Sequence, residues 1–260
     1  MKKVDQYFLK SLQWHIGYIR QAYDDFEFHS AFKDIYDLCN VELSMYYLDM
    51  IKGRLYTYAA NSLERRAAQT VIYEILYSLV RLIAPILVFS AEEIWQSMPK
   101  ETEVSNIVSV HLLNWPEINS EFSQEEQERS KEDIQSELEP VIKLIPEVAK
   151  ELEGKRSQGE IGSSFDAKIN LLTNSQERYK FLTSLKAQLC EIFKVSQVEI
   201  KKVDNLDPNL SKSVTANDIA IEVLKADGTK CVRCWNYSKE VGSDKGHPLI
   251  CENCLKAIRG

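Results

Sequence analysis

Residues 68–85 read AQTVIYEILYSLVRLIAP, and this stretch decides the fold class. Its apolar side chains recur at helical spacing along one broad face: Val71, Ile72, Ile75, Leu76, Leu79, Leu82 and Ile83. A face of this width is typical of a helix at the centre of a bundle. Pro85 should kink or end the helix at Ala84, because proline supplies no backbone N–H and crowds the preceding turn.

Helical spacing continues on both sides of this stretch. Toward the N-terminus, two further apolar sets predict helices: Phe28, Phe32, Ile35, Tyr36 and Cys39, then Leu48, Ile51 and Leu55. Downstream, Ser90 and Glu93 resemble a capping box that would start a short helix through Trp95. Residues 1–116 therefore predict an antiparallel helix bundle, the last part of which, residues 107–115, should be an extended segment leaving the bundle.

The rest of the chain predicts three smaller parts. Residues 117–139 form an acidic linker or helix, residues 140–228 a small α+β module, and residues 229–260 a zinc-binding segment. The elements expected in the module are a helix ending near Gly154, strands over 161–172, 197–203 and 219–223, and a helix over 177–193. The predicted fold class is thus mainly α, with a small α+β module and a four-cysteine segment at the C-terminus.

The charge of the chain is unevenly distributed. The net charge is −7, and residues 117–139 alone carry nine carboxylates against Arg129 and Lys131. We interpret this acidic segment as solvated rather than as an interaction site. After Leu224, seven basic residues face four acidic ones. Because local charge decides whether phosphate is attracted, the C-terminal tail is where the sequence predicts contact with RNA.

Composition and hydropathy indicate a globular protein outside the membrane. Apolar residues make up 44% of the chain and charged residues 27%, which is ordinary for a folded domain. The longest apolar stretch, residues 82–89, contains Pro85 and is too short to span a bilayer. No secretory signal is visible at the N-terminus. We therefore expect a cytoplasmic protein, monomeric and without a membrane partner.

Four of the six cysteines form two CxxC pairs. Cys231 and Cys234 are separated by sixteen residues from Cys251 and Cys254. Two pairs at this spacing predict one structural zinc ion held by four thiolates, because zinc prefers tetrahedral sulfur ligands. Two disulfides or a redox CxxC are the alternatives, and both are less compatible with a cytosolic chain lacking a thioredoxin pattern. His247 is a possible rival ligand.

Basic and aromatic side chains surround the first CxxC pair. Lys230, Arg233 and Trp235 together could hold a phosphate and stack an unpaired base. The alternative is that Trp235 only packs over the zinc loops. The two remaining cysteines, Cys39 and Cys190, lie in apolar helical patterns and are interpreted as small buried hydrophobic residues.

Several runs resemble a known enzyme family. Residues 28–36 (FHSAFKDIY), 41–49 (VELSMYYLD) and 52–56 (KGRLY) resemble the anticodon-binding helical domain of the class I synthetases for isoleucine, valine, leucine and methionine. Residues 148–156 (VAKELEGKR) and 230–235 (KCVRCW) resemble the C-terminal region of bacterial isoleucyl-tRNA synthetases. The resemblance covers essentially the whole chain. A valyl or methionyl assignment is a lesser alternative.

This resemblance implies binding of the anticodon stem-loop of isoleucine tRNA. It also implies that ATP and isoleucine react in catalytic domains outside this chain, so the chain alone should be an inactive part of a ligase. Trp235, Arg233 and Lys230 are then expected tRNA contacts, and Lys52 and Arg54 are expected to hold stem phosphates unless they are only solvated surface charges. The alternative function is a stand-alone zinc-ribbon module that binds another RNA or a protein.

One feature of the sequence departs from the family pattern, and another resembles a family signature without its structural context. The family usually has Lys-Asp-Arg where this chain has Lys52-Gly53-Arg54, which puts an acidic contact in doubt. Residues 15–18, His-Ile-Gly-Tyr, resemble the HIGH signature that holds ATP in these enzymes. That signature belongs at a strand-to-helix turn, and no parallel-sheet pattern surrounds it here. We interpret His15 as an ordinary helix residue and predict no catalytic residue.

Overall fold

The computed structural model describes residues 1–119, 138–206, 210–212 and 218–259, which divide into two compact units. The helical unit contains Asp5–Asp49 and the described residues from 67 to 119. The C-terminal unit contains Lys2–Val4, Met50–Arg66 and the described residues from 138 onward. Most of the predicted acidic linker, residues 120–137, lies outside the described residues. The predicted four-part division at residues 116, 139 and 228 stays a prediction.

The first part of the chain is helical. Its elements are α1 (Lys3–Asp24), α2 (Phe28–Asp37), a π-helical segment (Leu38–Tyr47), α3 (Leu48–Met50), α4 (Lys52–Thr57), α5 (Leu63–Ile83), α6 (Val88–Ser97) and a 3-10 turn (Val110–Leu112). The predicted mainly helical class is confirmed. Among the described residues, no helix combines the length and apolar character needed to cross a membrane.

The core of the helical unit forms along α5, as its wide apolar face predicts. Val71 and Ile75 of α5 are buried, and Trp95 of α6 is fully buried. The α1 residue Tyr23 donates its hydroxyl hydrogen to the α5 carbonyl of Leu82 at 3.1 Å, which ties the two helices together. Full burial of a side chain as large as tryptophan contributes up to several kcal/mol, so this packing fixes the position of α6.

Two details around Pro85 differ from the predictions. Helix α5 ends at Ile83, one residue before the predicted end. The capping-box prediction is wrong, because α6 begins at Val88 and its N-cap is Leu87, which makes no side-chain cap. Ser90 therefore lies inside the first turn. The turn after Pro85 already closes through a hydrogen bond from Leu87 N to Ile83 O at 2.8 Å, so the chain enters the next helix earlier than Ser90.

The segment over residues 107–115 does not leave the bundle, which corrects the sequence prediction. Ser109 Oγ donates to the Glu92 carboxylate of α6 at 2.8 Å, and Val110 N donates to the same oxygen at 3.0 Å. The Trp115 ring lies 4.9 Å from the Tyr23 ring of α1, measured between centroids. The segment thus packs back on the helical unit.

His15 lies in the middle of helix α1, as interpreted from the sequence, and its side chain also forms a buried bridge between two carboxylates. Its Nδ1 lies 2.5 Å from Asp34 Oδ2 of α2, and its Nε2 lies 3.0 Å from Glu42 Oε1 of the π-helical segment. Both partners accept, so both ring nitrogens donate and the imidazole is charged. Burial alone would lower the pKa of His15, but the bonds to Asp34 and Glu42 outweigh it and raise the pKa above 6.5.

The C-terminal unit contains the predicted α+β module. Its elements are α7 (Glu139–Ile142), α8 (Leu144–Ser157), a 3-10 turn (Ser164–Asp166), β1 (Ala167–Thr173), α9 (Gln176–Phe193), β2 (Gln197–Lys202), β3 (Ser211–Lys212) and β4 (Ile219–Lys225). The strand order is β2-β1-β4-β3, with β1 and β2 parallel and the other pairs antiparallel. Helix α9 connects the parallel pair and packs its apolar face on the sheet.

Two element boundaries in this module are corrections. Helix α8 continues through Gly154 to Ser157, and Gly159 is the glycine with positive φ, at 77°, that ends the helical path. Strand β1 starts at Ala167, six residues later than predicted. The delay has a local cause: Asp166 Oδ2 accepts hydrogen bonds from Gly162 N at 2.9 Å and Ser163 N at 2.8 Å, which folds residues 162–166 into a turn.

Candidate metal centre and nucleic-acid interface

A small hairpin and a helix bring the two CxxC pairs together. Strands β5 (Thr229–Lys230) and β6 (Tyr237–Ser238) pair antiparallel, and α10 (Glu252–Arg259) begins directly after Cys251 and contains Cys254. Cys231 N donates to Asn236 O at 2.9 Å, which closes the loop between the strands. The sulfurs of Cys231, Cys234, Cys251 and Cys254 all lie within 4.8 Å of one another.

The sulfur geometry fits a tetrahedral metal ion. The Cys234 and Cys251 sulfurs are 3.7 Å apart. Two ligands at the zinc–sulfur bond length of about 2.3 Å and the tetrahedral angle are about 3.8 Å apart. A disulfide would require about 2.05 Å between sulfurs. His247 is exposed and does not belong to this group among the described residues, so the four cysteines remain the ligand set that the geometry favours.

The electrostatics of the cluster also require a cation. Burial would raise the pKa of the Cys231 thiol, but backbone N–H groups of Cys234, Cys251 and Arg233 outweigh it and lower the pKa to about 6. Burial, with a smaller contribution from the nearby Cys251, raises the pKa of Cys234 to about 11. Four thiols in this space therefore cannot all ionise without a compensating positive charge, which a divalent metal ion supplies.

The cysteine segment has little apolar material of its own. The buried core consists of Cys231, Cys251 and Cys254, with Val241 and Ile250 partly buried against it. Such a core cannot offset the conformational entropy lost on folding, so the segment needs the metal for stability. The other two cysteines, Cys39 and Cys190, were predicted to be small buried residues and are half-buried in the structure, where burial raises the pKa of each thiol.

Trp235 directly follows Cys234, and most of its side chain is exposed to solvent. Its exposed fraction is 60%, so most of the indole is accessible to a ligand. Its φ angle is +67°, a left-handed conformation that is rare for a bulky residue and costs about 1–3 kcal/mol. Trp235 N donates to Cys231 O at 2.9 Å, so the backbone is held within the cysteine loop. A glycine would occupy this position without strain.

The basic residues near the cluster already have partners within the unit. Arg233 Nη1 donates to Thr57 O and lies 3.6 Å from Cys254 Sγ. These inward contacts do not match the predicted grip on a phosphate. Lys230 Nζ lies 3.1 Å from Asp166 Oδ1, with 41% of the lysine side chain exposed. Lys230 is therefore accessible, although it would have to loosen one ion pair to reach an RNA phosphate.

Lys52 and Arg54 differ sharply in accessibility. Both lie on α4, and Lys52 is exposed. The Arg54 side chain is only 1% exposed, and its Nε lies 2.6 Å from Glu191 Oε1 of α9. This burial corrects the prediction that Arg54 holds a tRNA phosphate, because a buried guanidinium paired with a carboxylate cannot reach RNA without unfolding its surroundings.

Comparisons with known proteins match both parts of the chain. Residues 5–171 match the family described as the anticodon-binding domain of tRNA ligase, and residues 228–257 match one described as a zinc finger found in FPG and IleRS. The zinc-finger match and the sulfur cluster confirm the predicted structural zinc ion.

Curated relatives align over almost the full length of the chain. The isoleucine–tRNA ligase of Natranaerobius thermophilus is 41% identical over 99% of this chain and 27% of the relative. That of Moorella thermoacetica is 36% identical over 100% of the chain and 27% of the relative. That of Syntrophotalea carbinolica is 37% identical over 98% of the chain and 26% of the relative. The chain thus spans about a quarter of the length of these relatives.

The resemblance read from the sequence is confirmed by these matches. The family match covers residues 5–171, more than half of the chain, and includes the helices built around α5. From this match and the helical architecture together, we conclude that the chain belongs to the family of anticodon-binding domains of tRNA ligases.

Proposed function

We propose that this chain binds the anticodon stem-loop of isoleucine tRNA as part of a cytoplasmic isoleucine–tRNA ligase. In this proposal, the ATP-dependent attachment of isoleucine takes place in a part of the enzyme that this chain does not cover. The alignment of 98–100% of the chain with isoleucine–tRNA ligases supports the choice of isoleucine. The chain alone should bind tRNA without catalysing the reaction.

The four cysteines are proposed as the zinc ligands. The support is the 3.7 Å separation of the Cys234 and Cys251 sulfurs and the grouping of all four sulfurs within 4.8 Å. With four protein ligands, the ion would have no open position for water or substrate. Its role in this proposal is structural: it holds the loop that carries Trp235.

The observation that carries the proposed function is the conformation of Trp235. For a tryptophan that is 60% exposed in a left-handed conformation, partial burial contributes less to folding than full burial would, while the backbone strain opposes it. Strained residues of this kind persist where the surroundings hold them for a function. An indole fixed on a rigid loop suits stacking on an unpaired base, because little conformational entropy remains to be lost on binding.

Trp235→Ala should weaken binding of an isoleucine anticodon stem-loop about five- to hundredfold, which corresponds to the about 1–3 kcal/mol typical of base stacking. Zinc content and melting temperature should not change, because the indole lies outside the core. The measurement is fluorescence anisotropy with a labelled RNA hairpin. Trp235→Gly should weaken binding equally while relieving the backbone strain, so its stability should stay equal or rise.

Phe89→Ala is the matched control, because Phe89 is 89% exposed in the helical unit and is not a proposed RNA contact. This control should bind as the unchanged chain does. Loss of zinc from Trp235→Ala, together with normal RNA binding by the protein that remains folded, would show that the tryptophan is a stability residue.

Lys52 and Lys230 are proposed phosphate contacts. Lys52 is chosen for the test because replacing Lys230 would also remove its ion pair with Asp166. Lys52→Ala should reduce the salt dependence of tRNA binding by about one unit in the slope of log K against log salt, because one phosphate contact releases about one counterion. Lys143 is an exposed lysine paired with Glu139 on α7, and Lys143→Ala should leave the slope unchanged. An identical slope for Lys52→Ala would remove Lys52 from the interface.

A further inference from the structure

We propose that Arg233 is a positioning residue that couples the four-cysteine cluster to the end of helix α4. It would do so by bridging a zinc-ligand sulfur and a backbone carbonyl. The inference rests on the zinc ligation proposed above and is independent of tRNA binding. It assigns to Arg233 a role inside the C-terminal unit in place of the predicted phosphate contact.

The contacts of Arg233 reach two parts of the unit that are far apart in sequence. Its Nη1 donates to Thr57 O, 176 residues earlier in the chain, and lies 3.6 Å from Cys254 Sγ, 21 residues later. The backbone N–H of Arg233 also lowers the pKa of the Cys231 thiol. One side chain thus supplies N–H donors both to a sulfur of the cluster and to the end of α4.

The guanidinium suits the chemistry of a four-thiolate site. Four thiolates and one divalent zinc ion leave a net charge of −2 in a small, largely buried space. Arginine stays charged in proteins, and its N–H groups donate to sulfur and spread the thiolate charge. Groups that hydrogen-bond to metal ligands typically change metal affinity about ten- to hundredfold when removed. Arg233 is placed to act in this way on Cys254.

The other end of the bridge completes a helix. Helix α4 ends at Thr57, and Tyr58 turns away with ψ at 159°, so the last carbonyls have no partners within the helix. Thr57 O accepts from Arg233, and Tyr58 O accepts from Arg65 Nη1 at 3.3 Å. Cationic side chains at this end also interact favourably with the helix dipole. The guanidinium that contacts the last residue of α4 therefore comes from the cysteine segment.

The Arg233 bridge makes the four-cysteine cluster and the end of helix α4 mutually dependent. If the sulfur cluster loses its metal, the loop carrying Arg233 is released, and Thr57 O loses its donor. If Arg233 is replaced, Cys254 loses a donor even while the metal is bound. Coupling of this kind is reciprocal in free energy. We therefore expect zinc occupancy to influence the order of residues 50–66, where Lys52 and Tyr56 are exposed.

The first measurement is zinc affinity in the whole chain, determined by competition with a chromophoric chelator. Arg233→Gln should bind zinc about tenfold more weakly than the unchanged chain, or weaker still. Arg233→Lys, which keeps the charge without the planar fork, should recover part of this loss. Arg259→Gln is the matched control, because Arg259 also lies on the zinc segment but pairs with Asp244 at the surface. The control should keep its zinc affinity.

The second measurement is hydrogen exchange of residues 50–66 in zinc-loaded protein. Arg233→Gln should exchange faster there than the unchanged chain, and chelation of zinc from the unchanged chain should have the same effect. Arg233→Lys provides this test if the glutamine variant does not fold. Zinc affinity within twofold of the unchanged chain, or unaltered exchange at residues 50–66 in the zinc-loaded variants, would overturn the proposal. A chain that binds no zinc would instead refute the ligation itself.

Discussion

Cys254→Ser, or removal of zinc by a chelator, is expected to unfold residues 228–257 while the helical unit keeps its own melting transition. The segment has three buried cysteines as its core, and few apolar residues support them. Zinc binding in comparable peptides contributes about 10–16 kcal/mol, so the folded segment should not survive without the ion. The helical unit has a separate core around α5 and Trp95, and separate cores melt separately.

Metal analysis and calorimetry together check this result. The unchanged chain, purified without chelator, should contain about one zinc ion. Cys190→Ser is the control, because Cys190 is half-buried in α9 and does not belong to the sulfur cluster. It should keep its zinc. A Cys254→Ser variant that still binds one zinc ion tightly, or that loses the helical transition as well, would contradict the account.

His15→Leu is expected to destabilise the helical unit by about 3–5 kcal/mol, the usual effect of removing one partner from a buried ion pair. The loss arises because Asp34 and Glu42 stay largely buried after their common cation is gone. Urea unfolding followed by circular dichroism measures the change. His29→Leu is the control, since His29 is exposed on α2 and its replacement should leave stability almost unchanged.

The stabilising effect of His15 should also depend on pH in a defined direction. The pKa of His15 in the folded chain is raised above 6.5. The stabilisation is therefore complete below pH 6.5 and is lost as pH rises through the raised folded pKa. The difference in unfolding free energy between the unchanged chain and His15→Leu should shrink on the alkaline side. A difference that grows with pH would show that the folded imidazole is neutral.

Local periodicity was sufficient to predict most of the fold. The apolar face of α5 is encoded by residues a few positions apart, so the helix and its central place could be read directly. The ends of the helices were less predictable, because neighbouring residues offer more than one possible start or stop signal. Ser90 and Glu93 have capping-box spacing, yet the turn after Pro85 starts α6 first. Gly154 resembles a helix end, yet Gly159 has the positive φ angle.

In the candidate site, too, some residues could be predicted from local sequence and others could not. The four cysteines follow a spacing that zinc chemistry dictates, so their cluster could be predicted from the sequence. Arg54 and Arg233 could not, because their partners lie far away along the chain. Glu191 and Thr57 are brought to them only by the folded unit. A basic residue in a helical pattern looks the same whether it faces RNA or a buried carboxylate.

The most direct test of the account is an exchange of the anticodon. The unchanged chain and Trp235→Ala are each titrated with an isoleucine tRNA transcript and with the same transcript carrying an unrelated anticodon, at fixed salt. We predict that the exchange weakens binding by the unchanged chain. We also predict that Trp235→Ala loses about five- to hundredfold on the isoleucine anticodon and clearly less on the exchanged one. Equal affinity of the unchanged chain for both transcripts, with Trp235→Ala indistinguishable from it on each, would contradict the account.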